Sequence, residues 1–162
     1  QIKRSGGGRM TLSSATLSLE VPSLRVICVM NPPSRDVVNL LIDAGAGLGL
    51  TFATNLFIAR TPSMPDAAVT VHDAGGFDPD AAWSYLRPTV QVAVRGARDG
   101  YLAAHRLAQT IRDVLIGCHN RDIGGTHVVG IWCQGDVISL GFDENHRPLF
   151  TVNFLMHRTL PA

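Results

Sequence analysis

A strand pattern that changes into a helix pattern within a few residues constrains the fold of this chain most. In "TVQVAVRG" (89–96), valines at every second position alternate with mostly polar residues, as in a half-buried strand. From about residue 99 to residue 116, apolar residues recur at spacings of three and four, which is typical of an amphipathic helix. The members of that stripe are Tyr101, Ala104, Ala108, Ile111 and Leu115. Both elements must bury one side, so this segment predicts a helix packed on a sheet.

The flanking segments predict one more helix and several strands. A helix begins near residue 35, with Ser34 as its cap, and ends at Gly45, where a left-handed residue is expected. The order is helix, two strands, a third strand, the long helix and three final strands. It predicts an α+β fold, a mostly antiparallel or mixed β-sheet with two main helices packed on it. The other predicted strands lie within 51–60, 68–72, 124–133 and, joined by a polar turn at 143–147, within 136–158.

Length and composition favour one folded domain. The chain has 162 residues, of which 46% are hydrophobic and 17% charged. Met30 resembles a natural start, so we divide the chain into residues 30–162, the α+β domain, and an N-terminal extension, residues 1–29. The extension contains a basic, glycine-rich arm and a short alternating strand, "TLSLEV" (16–21).

The charge balance points to no particular partner, and the cysteines indicate the redox compartment. A net charge of +1 requires neither nucleic acid nor an anionic membrane, and the apolar runs are shorter than a bilayer span requires. The arginines form no continuous patch with interleaved aromatics, which argues against specific nucleic-acid recognition but allows DNA to pass through a ring. Three widely spaced cysteines favour a reducing cytoplasm over a disulfide framework.

The glycine-rich stretch "DAGAGLGL" (43–50) at first suggests a phosphate-binding loop. A dinucleotide fingerprint places glycines between a strand and the N-terminus of a helix. Here the helix precedes the glycines, so they meet its C-terminus, which carries partial negative charge. We therefore interpret Gly45 as the end of a helix, and Gly47 and Gly49 as a turn into the next strand.

Other combinations of reactive residues are equally weak. Cys118, His119, His127 and Cys133 do not have the spacing of a zinc finger or ribbon. His72 and Asp73 are adjacent on a predicted strand and point to opposite faces. The acids Asp73, Asp78 and Asp80 lack calcium-loop spacing. The sequence thus predicts no catalytic residue, no bound metal and no cofactor, and a protein that is not an enzyme.

Read in order, residues from about 30 to 158 resemble the tail terminator proteins of long-tailed bacteriophages, which are also called minor capsid or tail completion proteins. The resemblance is carried by the first helix with "GAGLG" and "NLFIARTPSMPDAAVTVHDAGG", by "RPTVQVAVRGARDGYLAAHRLAQTIRDVL", by "LGFDENHRPLFTVNF", and by the final "HR". It implies a hexameric ring in the virion neck that caps the tail tube, stops its growth and joins it to head connector proteins. It implies assembly in the host cytoplasm and brings no catalytic residues.

Two loops, residues 61–65 and 77–88, are candidate surfaces for contact with neighbouring subunits of such a ring or with the tube. Proline, methionine and aromatic residues suit interfaces, and the interface residues predicted on this basis are Pro62, Met64, Pro65, Phe77, Trp83, Tyr85 and Arg87. The N-terminal extension suggests a second hypothesis, in which it is an arm that becomes ordered when it binds a neighbouring ring or the connector. Alternatives are another neck, head-closure or tail-tube component, or a small enzyme with an unrecognised site.

Overall fold

The computed structural model describes residues 30–45, 47–79 and 84–160. The predicted extension, with its strand at 16–21, and the predicted interface residue Trp83 lie outside these residues. The described part contains two helices and eight strands. They are α1 (Pro33–Asp43), β1 (Leu56–Ile58), β2 (Ala68–Gly76), β3 (Tyr85–Leu86), β4 (Pro88–Arg95), α2 (Tyr101–Ile116), β5 (His119–Ile123), β6 (Thr126–Cys133), β7 (Ile138–Phe142) and β8 (Pro148–Thr159).

The strands form one mixed sheet in the order β1-β2-β4-β8-β6-β5. β1 runs parallel to β2, and the other pairs are antiparallel. The twelve-residue strand β8 is long enough to have two partners along each edge. β4 and β3 follow one another along one edge, and β7 and β6 along the other. The predicted α+β class with two main helices on a mixed sheet is confirmed.

Both helices pack on one face of the sheet. The valines of β4 are fully buried there, as the alternation in "TVQVAVRG" predicts, together with Phe150, Val152, Phe154 and Met156 of β8. The apolar stripe of α2 contributes Ala104, Ala108, Ile111 and Leu115 to the same core, whereas its first predicted member, Tyr101, is exposed. The opposite face has no helix on it in the described part of the chain, and its central strands carry Gln91 hydrogen-bonded to Asn153 at 3.1 Å. The sheet therefore has one face covered by the helices and one open face without a helix, on which Thr70, Arg95 and Thr151 are nevertheless buried.

The start of α1 differs from the prediction. The helix begins at Pro33, and Ser34 lies inside it instead of capping it. The capping groups come from β2, where the Asp73 carboxylate accepts hydrogen bonds from the Ser34 backbone N–H at 2.8 Å and from its hydroxyl at 2.7 Å. Proline at the first helical position leaves no N–H to cap. A carboxylate at a helix N-terminus also interacts favourably with the helix dipole.

The end of α1 agrees with the interpretation of "DAGAGLGL". The helix ends at Asp43, and Gly45 has a φ of +84°, the left-handed conformation expected just beyond a helix. The glycines therefore follow a helix C-terminus, which is unfavourable for phosphate.

Four strands differ from the sequence-based boundaries, and one of them is β2, which continues to Gly76 where the prediction ends the strand at residue 72. The strand predicted at 51–60 is reduced to β1, because residues 51–56 form a hydrogen-bonded turn in which Ala53 has a φ of +64°. The strands β3 and β5 are absent from the prediction. β3 has two residues, and β5 is an edge strand whose first four side chains are exposed, so neither shows an alternating pattern.

Candidate functional site

The loop at residues 61–67 is held in place by a buried arginine at the end of β4. Arg95 donates to the carbonyl oxygens of Pro62 and Pro65, both at 2.7 Å, and to that of Asp66 at 2.9 Å. Burial lowers the pKa of Arg95, and the neighbouring Arg147 lowers it further. The Met64 side chain, 67% exposed, lies at the tip of this loop. A rigid loop therefore presents an exposed methionine, with Pro62 and Pro65 half-buried beside it.

A second arginine joins this loop to the turn between β7 and β8. Arg147 donates to the Ser63 carbonyl oxygen at 2.8 Å and to the Asp143 carboxylate at 2.7 Å. Burial raises the pKa of Asp143, but hydrogen bonds from the Arg147 backbone and guanidinium outweigh it, and the pKa is lowered. Arg147 belongs to the segment "LGFDENHRPLFTVNF", and the structure gives that segment a positioning role. The sequence analysis did not predict a contact between Arg147 and the loop of residues 61–67.

The second predicted loop lies at the other end of the same strands. Phe77 is exposed, and the Arg87 guanidinium lies 5.2 Å from the centre of its ring. The Tyr85 hydroxyl shares a 2.5 Å hydrogen bond with His157 Nδ1 on β8. Burial lowers the pKa of His157, and the charge of Arg87 lowers it further. Phe77, Tyr85, Arg87 and His157 therefore form one linked group.

The structure separates the two predicted loops. β2 and β4 pair with Ala68 opposite Arg95 at one end, next to the first loop, and Gly76 opposite Pro88 at the other, next to the second loop. Eight residues of β4 lie between them, a distance of roughly 25 Å at the rise of a β-strand. The six predicted interface residues that the structure describes therefore form two groups at opposite ends of the sheet.

An aromatic pair lies on the open face near the second loop. The Trp132 ring lies 4.4 Å from the His157 ring, measured between centres. It fits there because Gly130 has no side chain: a Cβ at that position would approach the indole to 2.7 Å. The tryptophan is half exposed. It extends the group of Phe77, Tyr85, Arg87 and His157 along the sheet.

Exposed apolar side chains are concentrated on β7, which sequence reasoning did not select. All five residues of β7 are exposed, and its large apolar members are Ile138, Leu140 and Phe142. Phe142 contacts Tyr101 of α2, with ring centres 6.0 Å apart. The available signal was the alternation in "VISLGF", which the prediction used for strand assignment alone.

The residues considered for chemistry have other partners. Cys118 and Cys133 donate to the backbone oxygens of Val114 and Gly135, and His127 binds Asp122. Burial raises the pKa of both thiols. Within residues 30–45, 47–79 and 84–160, no group of three His, Cys, Asp or Glu side chains is arranged to hold a metal ion. Neither helix combines the length and the apolar character needed to cross a bilayer.

The comparisons with known proteins agree with this architecture. A family model described as bacteriophage tail terminator protein matches residues 38–160. A chain in the solved structure of the virion of a native gene transfer agent particle is similar, with a TM-score of 0.63 and 16% identity. The match covers 79% of this chain and 95% of that chain. At this identity, the likeness shows a shared fold. The search of curated proteins gave no match.

The family match extends from the middle of α1 to the end of β8 and includes every strand of the sheet. It therefore covers the loop of residues 61–67, the second predicted loop and the β7–β8 hairpin together. This chain belongs to the bacteriophage tail terminator protein family, and it is a structural protein of a phage-type virion.

Proposed function

We propose that this protein forms a homohexameric ring that caps the tail tube, stops tube polymerisation and provides the surface for head–tail joining. The observation that carries the proposal is the tail terminator family match over residues 38–160. A ring needs heterologous contacts, in which two different surfaces of each copy meet and close around an axis. The subunit has distinct exposed surfaces at several sides of one rigid sheet. The lumen of such a ring would allow DNA to pass without specific contacts.

The two loops supply surfaces at opposite ends of the subunit. The loop of residues 61–67 is held by Arg95 and Arg147, so its contact geometry is set before assembly. The other surface, with Phe77, Tyr85 and Arg87, lies at the far end of β2 and β4. Because a terminator must contact the tube on one side and the connector on the other, we assign one loop to each. Trp83, in the same loop by sequence, is included in the second surface.

Loss of the gene tests the function directly. Without the protein, we expect tail tubes of uncontrolled length and unjoined heads in electron micrographs of lysates. Complementation with a tagged full-length chain should restore joined particles, with the tag at the head-proximal end of the tail. A tag distributed along the tube or located in the head would favour a tube or head-closure component instead.

The loops are tested by shortening each one in the complementing chain. Replacing residues 63–64 by one glycine keeps Pro62, Pro65 and Asp66 for Arg95, and replacing residues 78–82 by two glycines keeps the strand ends. We expect one variant to give overlong tubes and the other to give capped tails without heads. A substitution of the exposed helix residue Leu102 by serine is the control. Normal particles from both loop variants would contradict this assignment.

The N-terminal extension is proposed to be an arm that binds a neighbouring ring or the connector. Its sequence combines the basic stretch "QIKRSGGGRM" with an alternating pattern at residues 16–21 that predicts a strand, and a strand can add to an exposed sheet edge. A chain that begins at Met30 should form rings but join fewer heads. Equal infectivity of the two chains would contradict the role of the arm and leave the ring unaffected.

A further inference from the structure

The strand β7 has the features of a contact surface that is uncovered in the single subunit. Leu140 is 60% exposed, and Ile138 and Phe142 are also exposed. Among the described strands β7 pairs with β8 alone, so its outer edge has free backbone groups. The register shifts between Ser139 and Gly141, which makes Leu140 the extra residue of a bulge. Apolar side chains on an open edge strand are an aggregation hazard unless a partner covers them.

A second apolar surface, a groove, lies beside β1 and next to the loop of residues 61–67. It has a volume of about 430 Å³ and is lined mostly by apolar side chains. In the strand order, β2, β4 and β8 stand between β1 and β7, although Leu140 approaches Thr61 and Ala68 closely enough to line one cavity with them. The apolar strand and the apolar groove have different residues and are two different surfaces, as a heterologous contact requires. The lining residues are Phe52, Ala53, Phe57, Ile58, Arg60 and Pro62.

The charges around the two surfaces are complementary. Arg60 is exposed at the groove, and the Arg35 guanidinium lies 4.6 Å from the centre of the Phe52 ring. Within the described residues neither arginine forms an ion pair. The strand β7 is followed by the exposed Glu144, whereas Asp136, before it, is already paired with Arg112 of the same chain. The basic groove also disfavours the basic N-terminal stretch of the same chain as its occupant.

We propose that β7 of one copy of this chain docks into the β1 groove of the next copy, with Leu140 against Phe52 and Glu144 near Arg60. This inference rests on the proposed ring, and it names the lateral contact that closes it. Each copy then uses both surfaces once, so that the contact repeats in one direction around the axis.

Two variants, each defective on one side, test the direction of the contact. Leu140→Asp removes the apolar side chain of β7, and Phe52→Asp places a charge in the groove. We expect each variant alone to associate at least about tenfold more weakly than wild type. In a mixture of the two variants, the intact β7 of Phe52→Asp can still dock into the intact groove of Leu140→Asp. The other two surfaces are defective, so the mixture should give 1:1 heterodimers that do not extend. Native mass spectrometry and light scattering measure the association of each variant and the size of the complexes in the mixture.

The charge pair gives an independent test. Arg60→Glu and Glu144→Arg should each weaken association, and the double variant should restore it, because every contact then regains opposite charges. Leu102→Asp, at a leucine 69% exposed on α2, is the control for a charge on an apolar surface position. It should leave association unchanged, and circular dichroism should show all variants folded.

The outcomes separate this contact from the ring itself. Wild-type rings together with normal rings of Leu140→Asp would overturn the β7 contact and leave the ring in place. If the mixture of the two variants contains only monomers, the β7 contact is also overturned and the ring is left in place. If the wild type forms no ring in solution or in isolated virions, the ring and the contact are both wrong.

Discussion

Single buried arginines position the exposed parts of this subunit. Arg95, Arg147 and Arg158 are all more than nine-tenths buried. Arg158, in the final "HR", donates to Asp36 of α1 at 2.8 Å and to the Asn31 carbonyl oxygen at 2.6 Å. Burial raises the pKa of Asp36 even though Arg158 opposes that change. An arginine binds several oxygens with a planar group, so one side chain can join separate segments.

The effect of Arg87 on His157 is a prediction for single residues. Burial and the Arg87 charge both lower the pKa of His157, so Arg87→Ala should raise it part of the way towards 6.5. Titration of the His157 ring protons by NMR measures the shift. Arg98→Ala, at an exposed arginine, should leave the titration unchanged. An unchanged pKa in Arg87→Ala would show that burial alone sets the value.

At the level of elements, the loop of residues 61–67 depends on the geometry of Arg95 more than on its charge. Arg95→Lys keeps the charge but cannot reach three carbonyl oxygens in one plane. We expect faster amide hydrogen exchange in residues 61–67 and a loss of about 2 kcal/mol in unfolding free energy. Exchange in α2 should remain as in wild type. Equal protection of the loop in both proteins would contradict this role.

The turn between β7 and β8 predicts a dependence on pH. The pKa of Asp143 is below 3.8 in the folded chain, so its ionised form stabilises the fold above pH 3.8. That contribution is lost as the pH falls below 3.8 towards the folded pKa. Asp143→Asn should therefore destabilise the protein at neutral pH, and the difference from wild type should shrink as the pH falls. Urea denaturation across this range measures it, and a constant difference would contradict the mechanism.

For the whole molecule, the covered face of the sheet supplies stability and the open edge supplies contacts. Phe154 is fully buried at the centre of β8, so Phe154→Ala should cost about 3–5 kcal/mol. Leu140→Ala, at an exposed position, should change monomer stability by less than about 0.5 kcal/mol while weakening association. Denaturation and light scattering on both variants separate the two effects. A large loss of stability in Leu140→Ala would place it in the core instead.

Local sequence patterns were sufficient to predict the helices and strands that bury one of their faces. The valines of β4 and four of the five stripe residues of α2 have the burial predicted for them, because alternation and helical spacing follow from burial on one side; Tyr101, in the first turn, is exposed. The polar edge strand β5 and the two-residue strand β3 have no such pattern. They are strands because they pair with β6 and β8, respectively. The prediction that Ser34 caps α1 is wrong. Ser34 lies inside the helix, and its backbone N–H donates to the carboxylate of Asp73, which is 39 residues away in sequence.

The sequence by itself determined the fold class, the two helices, the glycine turn after α1 and the family resemblance. These depend on local spacing and on the order of motifs along the chain. Tertiary structure alone decided that the two predicted loops lie at opposite ends of one sheet, that Arg95 and Arg147 hold the first loop, and that β7 lies uncovered. Those facts depend on strand pairing across up to about 80 residues of chain, where loop closure and packing, not local pattern, set which residues meet.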